Sequence, residues 1–183
     1  EANIINLIPY ENFDGFIICH DTFQNKDAVR QMFQYIKERT KVPVITLRRP
    51  WEEYPCVLSK NNGAICNLVQ HFVDVHGFEK IAFLSGPKDH PDAMERLNEY
   101  KQGLKSRNIP YDENLVYYGN FWRDRAKLAA RYFAFDLKER PQAIMCANDY
   151  MALAVCNELI SMGIMVPDDI AVTGYDDIWE STI

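Results

Sequence analysis

With 183 residues, 48% of them hydrophobic and 25% charged, the chain has enough apolar mass for one globular α/β unit or two small lobes. Its formal net charge of −6 makes it a poor nucleic-acid binder by itself, because an acidic surface repels phosphate backbones. The sequence lacks any run of about 18 apolar residues, so no stretch of it is predicted to span a membrane.

The chain alternates short apolar, β-rich runs with amphipathic stretches of helical period. Strands are predicted, in chain order, at residues 15–19, 42–47, 56–58, 81–84, 115–118, 143–147 and 170–173. Helices are predicted around residues 29–36, 65–73 and 93–104, and over 125–137 and 149–162. Strand–helix alternation at this spacing predicts parallel sheets covered by helices on both faces.

The five cysteines are odd in number, and no two of them form a C-x-x-C pair. Three of them, Cys19, Cys56 and Cys146, lie in apolar, strand-like runs. This usage favours free thiols in the reducing cytoplasm, where disulfides are rare. The four histidines are scattered along the chain, so the sequence predicts neither a zinc site nor a bound cofactor.

Polar and aromatic side chains follow four neighbouring predicted strands at the point where each strand ends. The segments are S-G-P (85–87), G-N-F-W (119–122), N-D (148–149) and G-Y-D-D (174–177). Ligands of open parallel sheets bind beyond the carboxyl ends of the strands. Amides and carboxylates can bind vicinal hydroxyls, and an aromatic face can cover the apolar side of a sugar ring. The sequence therefore predicts a site for a small polar molecule, such as a sugar, at this edge.

Several of these segments belong to longer motifs. They are I-A-F-L-S-G-P (81–87), E-R-L-N-E-Y-K-Q-G-L (95–104), G-N-F (119–121), A-N-D-Y-M-A-L-A (147–154) and V-P-D-D-I-A-V-T-G-Y-D-D (166–177). D-G-F-I-I (14–18) and V-P-V-I (42–45) precede them. In this order, over nearly the whole chain, the motifs resemble the effector-binding core of the lactose/galactose-repressor family, which shares the periplasmic sugar-binding-protein fold.

The resemblance implies an α/β, two-lobed, periplasmic-binding-protein-like fold with doubly wound parallel sheets. Residues 1–70 are expected to form an incomplete first lobe and residues 71–183 a nearly complete second lobe, because family members extend beyond both ends of this segment. The strand at 15–19 would be the third of the first lobe. Without the first strand beside it, one of its apolar edges is expected to be unpaired.

The resemblance also assigns ligand contacts, residue by residue. Arg96, Phe121, Asn148 and Asp176 match family positions that contact the effector. Trp122 beside Phe121 is a further candidate, and His20 is expected to line the first lobe's side of the cleft. This chain departs from the G-D-F motif of relatives, since it reads G-N-F-W and has Ala126 where relatives carry Gly.

Each candidate also has a structural interpretation. Asn148 or Asp149 could cap the helix that starts near Tyr150, and we assign the cap to Asp149 and a ligand contact to Asn148. Arg96 could instead form a surface ion pair, with Asp92 or Glu99. One of the two aromatic residues at 121–122 is expected in the core, and the R-R-P-W segment (48–51) is interpreted as a solvated loop.

The function predicted from these observations is that of a sensor, not an enzyme. The nucleotide-binding, nucleophile-elbow and zinc-protease motifs are absent from the sequence. Ligand binding is expected to close the two lobes and pass the change to an output module. The expected partners are a small polar ligand and a second copy of the chain, with DNA contacted through a helix-turn-helix domain outside this segment. A diguanylate cyclase or kinase is a different output module, and a secreted binding protein of a sugar transporter is the alternative function.

Overall fold

The computed structural model describes residues 4–23, 25–59 and 63–182. The chain divides into two compact units, residues 1–60 and residues 61–183. Among the described residues, no helix has both the length and the apolar character that crossing a bilayer requires.

The first unit is a three-stranded parallel sheet with one long helix. Its strands are β1 (Phe16–Ile18), β2 (Val44–Leu47) and β3 (Cys56–Val57), in the order β1-β2-β3, and its helix is α1 (Lys26–Arg39). Asn25 caps α1 by accepting hydrogen bonds from the Asp27 and Ala28 amides, each at 3.0 Å. Short 3₁₀ turns at Ile4–Leu7, Tyr10–Asn12 and His20–Thr22 complete the unit.

One edge of β1 is open among the described residues. The strand pairs with β2 alone, with Phe16 opposite Val44, and the Ile17 side chain is 70% exposed. A cavity of about 330 Å³ lies beside it, lined mainly by apolar residues of β1 and α1. The unpaired apolar edge expected for this strand is therefore present in the described part of the chain.

The second unit is a four-stranded parallel sheet with helices on both faces. Its strands are β4 (Ile81–Ser85), β5 (Val116–Tyr118), β6 (Ala143–Cys146) and β7 (Ala171–Thr173), in the order β5-β4-β6-β7. Its helices are α2 (Ala64–His76), α3 (Pro91–Ser106), α4 (Arg123–Arg131) and α5 (Asp149–Ser161), and a π turn extends α4 over Tyr132–Asp136. Every residue of β4 and β6 is buried, which requires cover on both faces because successive side chains alternate.

The predicted strands and helices are all present, with ends that differ by one or two residues at most positions. β2 begins at Val44 because Pro43 has no N–H for the ladder, although its carbonyl accepts from the Phe16 amide at 2.9 Å. The helix predicted over 125–137 starts earlier, at Arg123, and its last turn is the π turn.

Helix α2 spans the boundary predicted at residue 70 and belongs to the second unit. It packs against α3, and the Glu99 carboxylate of α3 accepts a hydrogen bond from the Ile65 amide at 3.1 Å. The side chains of Gln70 and Ser106 form a second bond between these helices at 3.3 Å. The compact units thus divide before α2, and their correspondence to an incomplete and a nearly complete lobe stays a prediction.

Candidate ligand-binding site

The carboxyl ends of the four parallel strands in the second unit bring the candidate segments to one edge of the sheet. The loops continue the strand pairing by one residue, since the Gly119 amide donates to the Ser85 carbonyl and the Ala147 amide donates to the Leu84 carbonyl, both at 2.8 Å. These bonds hold the start of each loop against the neighbouring strand, and they therefore fix the backbone from which the candidate residues project.

Arg96 lies at the centre of this edge, although it comes from α3. Its side chain is only 11% exposed, its Nη1 donates to the Ala147 carbonyl, and its Nη2 lies 3.4 Å from Asp176 Oδ1. The guanidinium carbon lies 3.8 Å from the centre of the Tyr175 ring. The guanidinium thus points to the strand ends and forms an ion pair with Asp176, whereas the structural interpretation expected a pair on the helix surface.

The G-Y-D-D segment forms a tight loop after β7. Asp176 and Asp177 have φ values of 115° and 57°, which only residues held by their surroundings adopt, since neither is glycine. Asp149 shapes this loop from α5: its amide donates to the Tyr175 carbonyl, and its Oδ2 accepts from the Ile178 amide, both at 2.9 Å. A Cβ at Gly174 would collide with the same carboxylate, so only glycine fits there.

Asn148 is the N-cap of α5, and the assignment of that cap to Asp149 is wrong. Asn148 Oδ1 accepts from the Met151 amide at 3.0 Å, while its Nδ2 donates to the Phe121 carbonyl at 3.1 Å. Asp149 is the first helical residue and binds the loop after β7 instead. The cap falls on Asn148 because its backbone is still extended, so its side chain can turn back onto the helix amides. A ligand contact by Asn148 stays a prediction.

Phe121 and Trp122 lie in two different environments, as expected for this pair, one packed and one exposed. Phe121 has a φ of 67°, and its ring lies on Gly86 and edge-on to His90, with ring centres 4.9 Å apart. Trp122 is 65% exposed and lies 6.2 Å from the Tyr150 ring. Phe121 therefore packs at the strand ends, whereas Trp122 presents an aromatic face to solvent.

His20 belongs to the first unit and is buried there, with 7% of its surface exposed. Its Nε2 lies 2.9 Å from the Arg49 carbonyl, and its ring packs edge-on against Phe33 and Trp51. The interpretation of the R-R-P-W segment as a solvated loop is wrong for Trp51, because this ring stacks on Phe33 at 4.8 Å. Trp51 is thus partly buried and packs against the apolar core of the first unit.

Tyr175 and Ser85 are two further residues of this edge that the sequence motifs did not single out as ligand contacts. Burial raises the pKa of the Tyr175 phenol, and the Arg96 guanidinium opposes that rise. Ser85 is fully buried at the end of β4, and its hydroxyl, like the buried Arg96 Nε, makes no hydrogen bond within the part of the chain that the structure describes. Both residues lie in the segments that were identified, but the contact between Tyr175 and Arg96 joins residues too distant in sequence to be visible in a motif.

The chemistry of this edge suits a neutral polar ligand. It combines guanidinium N–H donors, a carboxylate acceptor on Asp176, which is 40% exposed, and the ring of Phe121. Among residues 4–23, 25–59 and 63–182, no group of three or more His, Cys, Asp or Glu side chains is placed to hold a metal ion.

Doubly wound α/β domains with polar residues beyond the carboxyl ends of their strands are typical of proteins that bind small molecules. Residues 69–182 match the family model described as a periplasmic binding protein-like domain. The match covers more than half of the chain, so the chain belongs to the periplasmic binding protein-like domain family.

Curated relatives include the HTH-type transcriptional repressor PurR of Vibrio atlanticus (strain LGP32), 41% identical over 97% of this chain and 52% of the relative. The HTH-type transcriptional regulator CelR of Thermobifida fusca is 36% identical over 91% of this chain and 48% of the relative. The chain thus spans about half the length of the curated relatives it matches.

Solved structures show the same fold. A transcriptional regulator CelR–cellobiose complex is 30% identical, with a TM-score of 0.76 over 95% of this chain and 52% of that one. The Escherichia coli transcriptional repressor ascG is 25% identical, with a TM-score of 0.72 over 96% of this chain and 60% of that one. The resemblance to the effector-binding core of the lactose/galactose-repressor family and the periplasmic-binding-protein-like fold class are confirmed.

Proposed function

We propose that this chain is the effector-sensing part of a transcriptional regulator and that it binds a small polar ligand, such as a sugar, at the carboxyl edge of the second-unit sheet. The relatives named above are transcriptional repressors or regulators, and one solved relative is a complex with cellobiose. These names support a regulator over the alternative of a secreted binding protein that feeds a transporter.

The observation that carries this proposal is the position of Arg96. A buried guanidinium that is stacked on Tyr175 and bonded to the Ala147 carbonyl has fixed N–H directions, which favours recognition of particular hydroxyl groups. Asp176 can accept from a neighbouring hydroxyl, and the Phe121 ring can cover an apolar ring face. We assign ligand contacts to Arg96, Phe121, Asn148 and Asp176, with Trp122 at the exposed rim.

The proposed mechanism is lobe closure, in which the ligand shifts the protein from one state to another. His20 is the candidate ligand contact of the first lobe. A ligand shifts such an equilibrium only by its difference in affinity for the two states. Moving a population from 1:99 to 99:1 requires a difference of about 5.5 kcal/mol. The shift would reach DNA through a helix-turn-helix domain in a homodimer, in the cytoplasm, where the five free cysteines would stay reduced.

A thermal-shift screen with glucose, galactose, cellobiose and nucleosides tests the proposal. The expected result is a stabilising ligand whose effect is lost in Asp176→Ala and strongly reduced in Arg96→Lys, since an ammonium cannot reproduce the planar fork. Asp168→Ala is the matched control, because Asp168 carries the same charge on an exposed loop of the same unit. A ligand that binds Asp176→Ala and Arg96→Lys as tightly as the original chain would refute the site.

A further inference from the structure

Two of the four histidines meet at the end of α2, far in sequence from the candidate ligand segments. His71 and His76 are both exposed, and their Nε2 atoms lie 3.2 Å apart. The ring centres are 5.0 Å apart, and the rings are turned 78° to each other. The four histidines are scattered along the sequence, so their spacing did not predict that two of them meet.

The end of the helix holds this pair in place. Gly77, with a φ of 66°, terminates α2, and its amide donates to the Val73 carbonyl at 3.0 Å. The Phe78 amide donates to the Phe72 carbonyl at 3.0 Å, and the two phenyl rings stack at 5.7 Å. The His76 ring lies 5.4 Å from that of Phe78, which is partly buried and packs against the core.

The distance between the two nitrogens matches one metal geometry better than another. Zinc–imidazole bonds of about 2.0 Å at a tetrahedral angle place two nitrogens about 3.3 Å apart. Neighbouring positions of a square-planar ion with similar bonds would place them about 2.8 Å apart. The two rings are joined by a hydrogen bond of 3.2 Å, so only a small change in spacing would be needed for a tetrahedral ion to replace it.

We propose that His71 and His76 form a binding site for Zn²⁺ on the exposed end of α2. Their two Nε2 atoms supply two of four tetrahedral positions, and water fills the others, because no third His, Cys, Asp or Glu completes a metal-binding group among the described residues. Zinc replaces the hydrogen bond between the rings, so both Nε2 atoms are deprotonated in the complex and binding weakens as the pH falls. This site is independent of the proposed function.

The imidazole ¹⁵N resonances of the full chain test the proposal directly, because the chain contains only four histidines. Titration with ZnCl₂ is expected to move the Nε2 resonances of His71 and His76 together, with saturation at one zinc per chain. The resonances of His20 and His90 are expected to stay in place, since these side chains lie elsewhere in the fold.

Variants provide the second measurement. His71→Gln and His76→Gln are each expected to weaken zinc binding at least about tenfold in a calorimetric titration, the least that loss of a supporting group costs. Val75→Gln, at a position 64% exposed on the same turn, is the matched control and is expected to bind as the original chain does. The proposal would be overturned if the His71 and His76 resonances did not move. It would also be overturned if both His variants bound zinc as tightly as the original chain, as binding at the thiols would give.

Discussion

The two units of this chain use the same alternation of strands and helices but bury their strands to different extents. In the second unit, every residue of β4 and β6 is buried, and a helix pair covers each face of the sheet. In the first unit, β1 has only one described partner strand, and its central residue, Ile17, is 70% exposed. An apolar segment is therefore enough to predict that a strand forms. The strands and helices packed around it decide how far it is buried.

The difference between the units extends to their polar groups. The second unit places a buried arginine and a buried cap where its strands end, at Arg96 and Asn148. The first unit also has an arginine that pairs with an aspartate, Arg30, and an asparagine that caps a helix, Asn25. Both are exposed at α1. Matched strands and matched residues of the two units are therefore expected to respond differently to the same measurement.

The largest expected difference is in hydrogen exchange. Amides of β4 and β6 are expected to exchange at least about 100-fold more slowly than those of β1, because a strand with an open edge opens locally whereas a buried central strand opens with its unit. Exchange measured by mass spectrometry, with the chain shown to be monomeric, checks this. Equal protection of β1 and β4 in the monomer would mean that the open edge of β1 is covered.

Two isoleucines sharpen the comparison at the level of side chains. Ile144→Ala is expected to cost about 2–5 kcal/mol of the free energy of unfolding, because Ile144 is 0% exposed in β6 and its loss leaves a cavity. Ile17→Ala is expected to cost less than about 0.5 kcal/mol, since Ile17 is largely in solvent. Urea unfolding followed by fluorescence measures both, and similar costs would show that Ile17 is buried in solution.

Two arginines that each pair with an aspartate differ in burial. Arg96→Gln is expected to destabilise the second unit by about 2 kcal/mol, because the Ala147 carbonyl loses a charged donor in a buried place. Arg30→Gln is expected to have no measurable effect, since its pair with Asp27 is exposed on both sides. Thermal unfolding of the two variants compares them, and equal effects would contradict the buried geometry of Arg96.

Two asparagine caps give the smallest expected difference. Asn148→Ala is expected to cost about 1–2 kcal/mol, because it removes the cap of α5 and the bond to the Phe121 carbonyl. Asn25→Ala removes an exposed cap of α1 and is expected to cost about 0.5–1 kcal/mol. Urea unfolding of the two variants measures both costs, and a larger cost for Asn25→Ala than for Asn148→Ala would contradict the buried geometry of the Asn148 cap.

The sequence by itself determined the order of the elements and the edge of the sheet at which the candidate residues lie. Hydrophobic periodicity reports burial along one segment, and it therefore located the strands and helices from β1 to β7 to within a few residues. Ligands of parallel sheets bind beyond the carboxyl ends of the strands. This rule predicted from the sequence that the segments after β4, β5, β6 and β7 lie at one edge.

Only the tertiary structure decided the partners of individual side chains. Arg96 meets Ala147 and Asp176, which lie 51 and 80 residues further along the chain, so no local pattern contains either contact. The choice of Asn148 over Asp149 as the cap depended on backbone dihedral angles. The approach of His71 to His76 could not be inferred from the helical period, because five residues along a helix place side chains on different faces. The conformations of the two side chains bring the rings together.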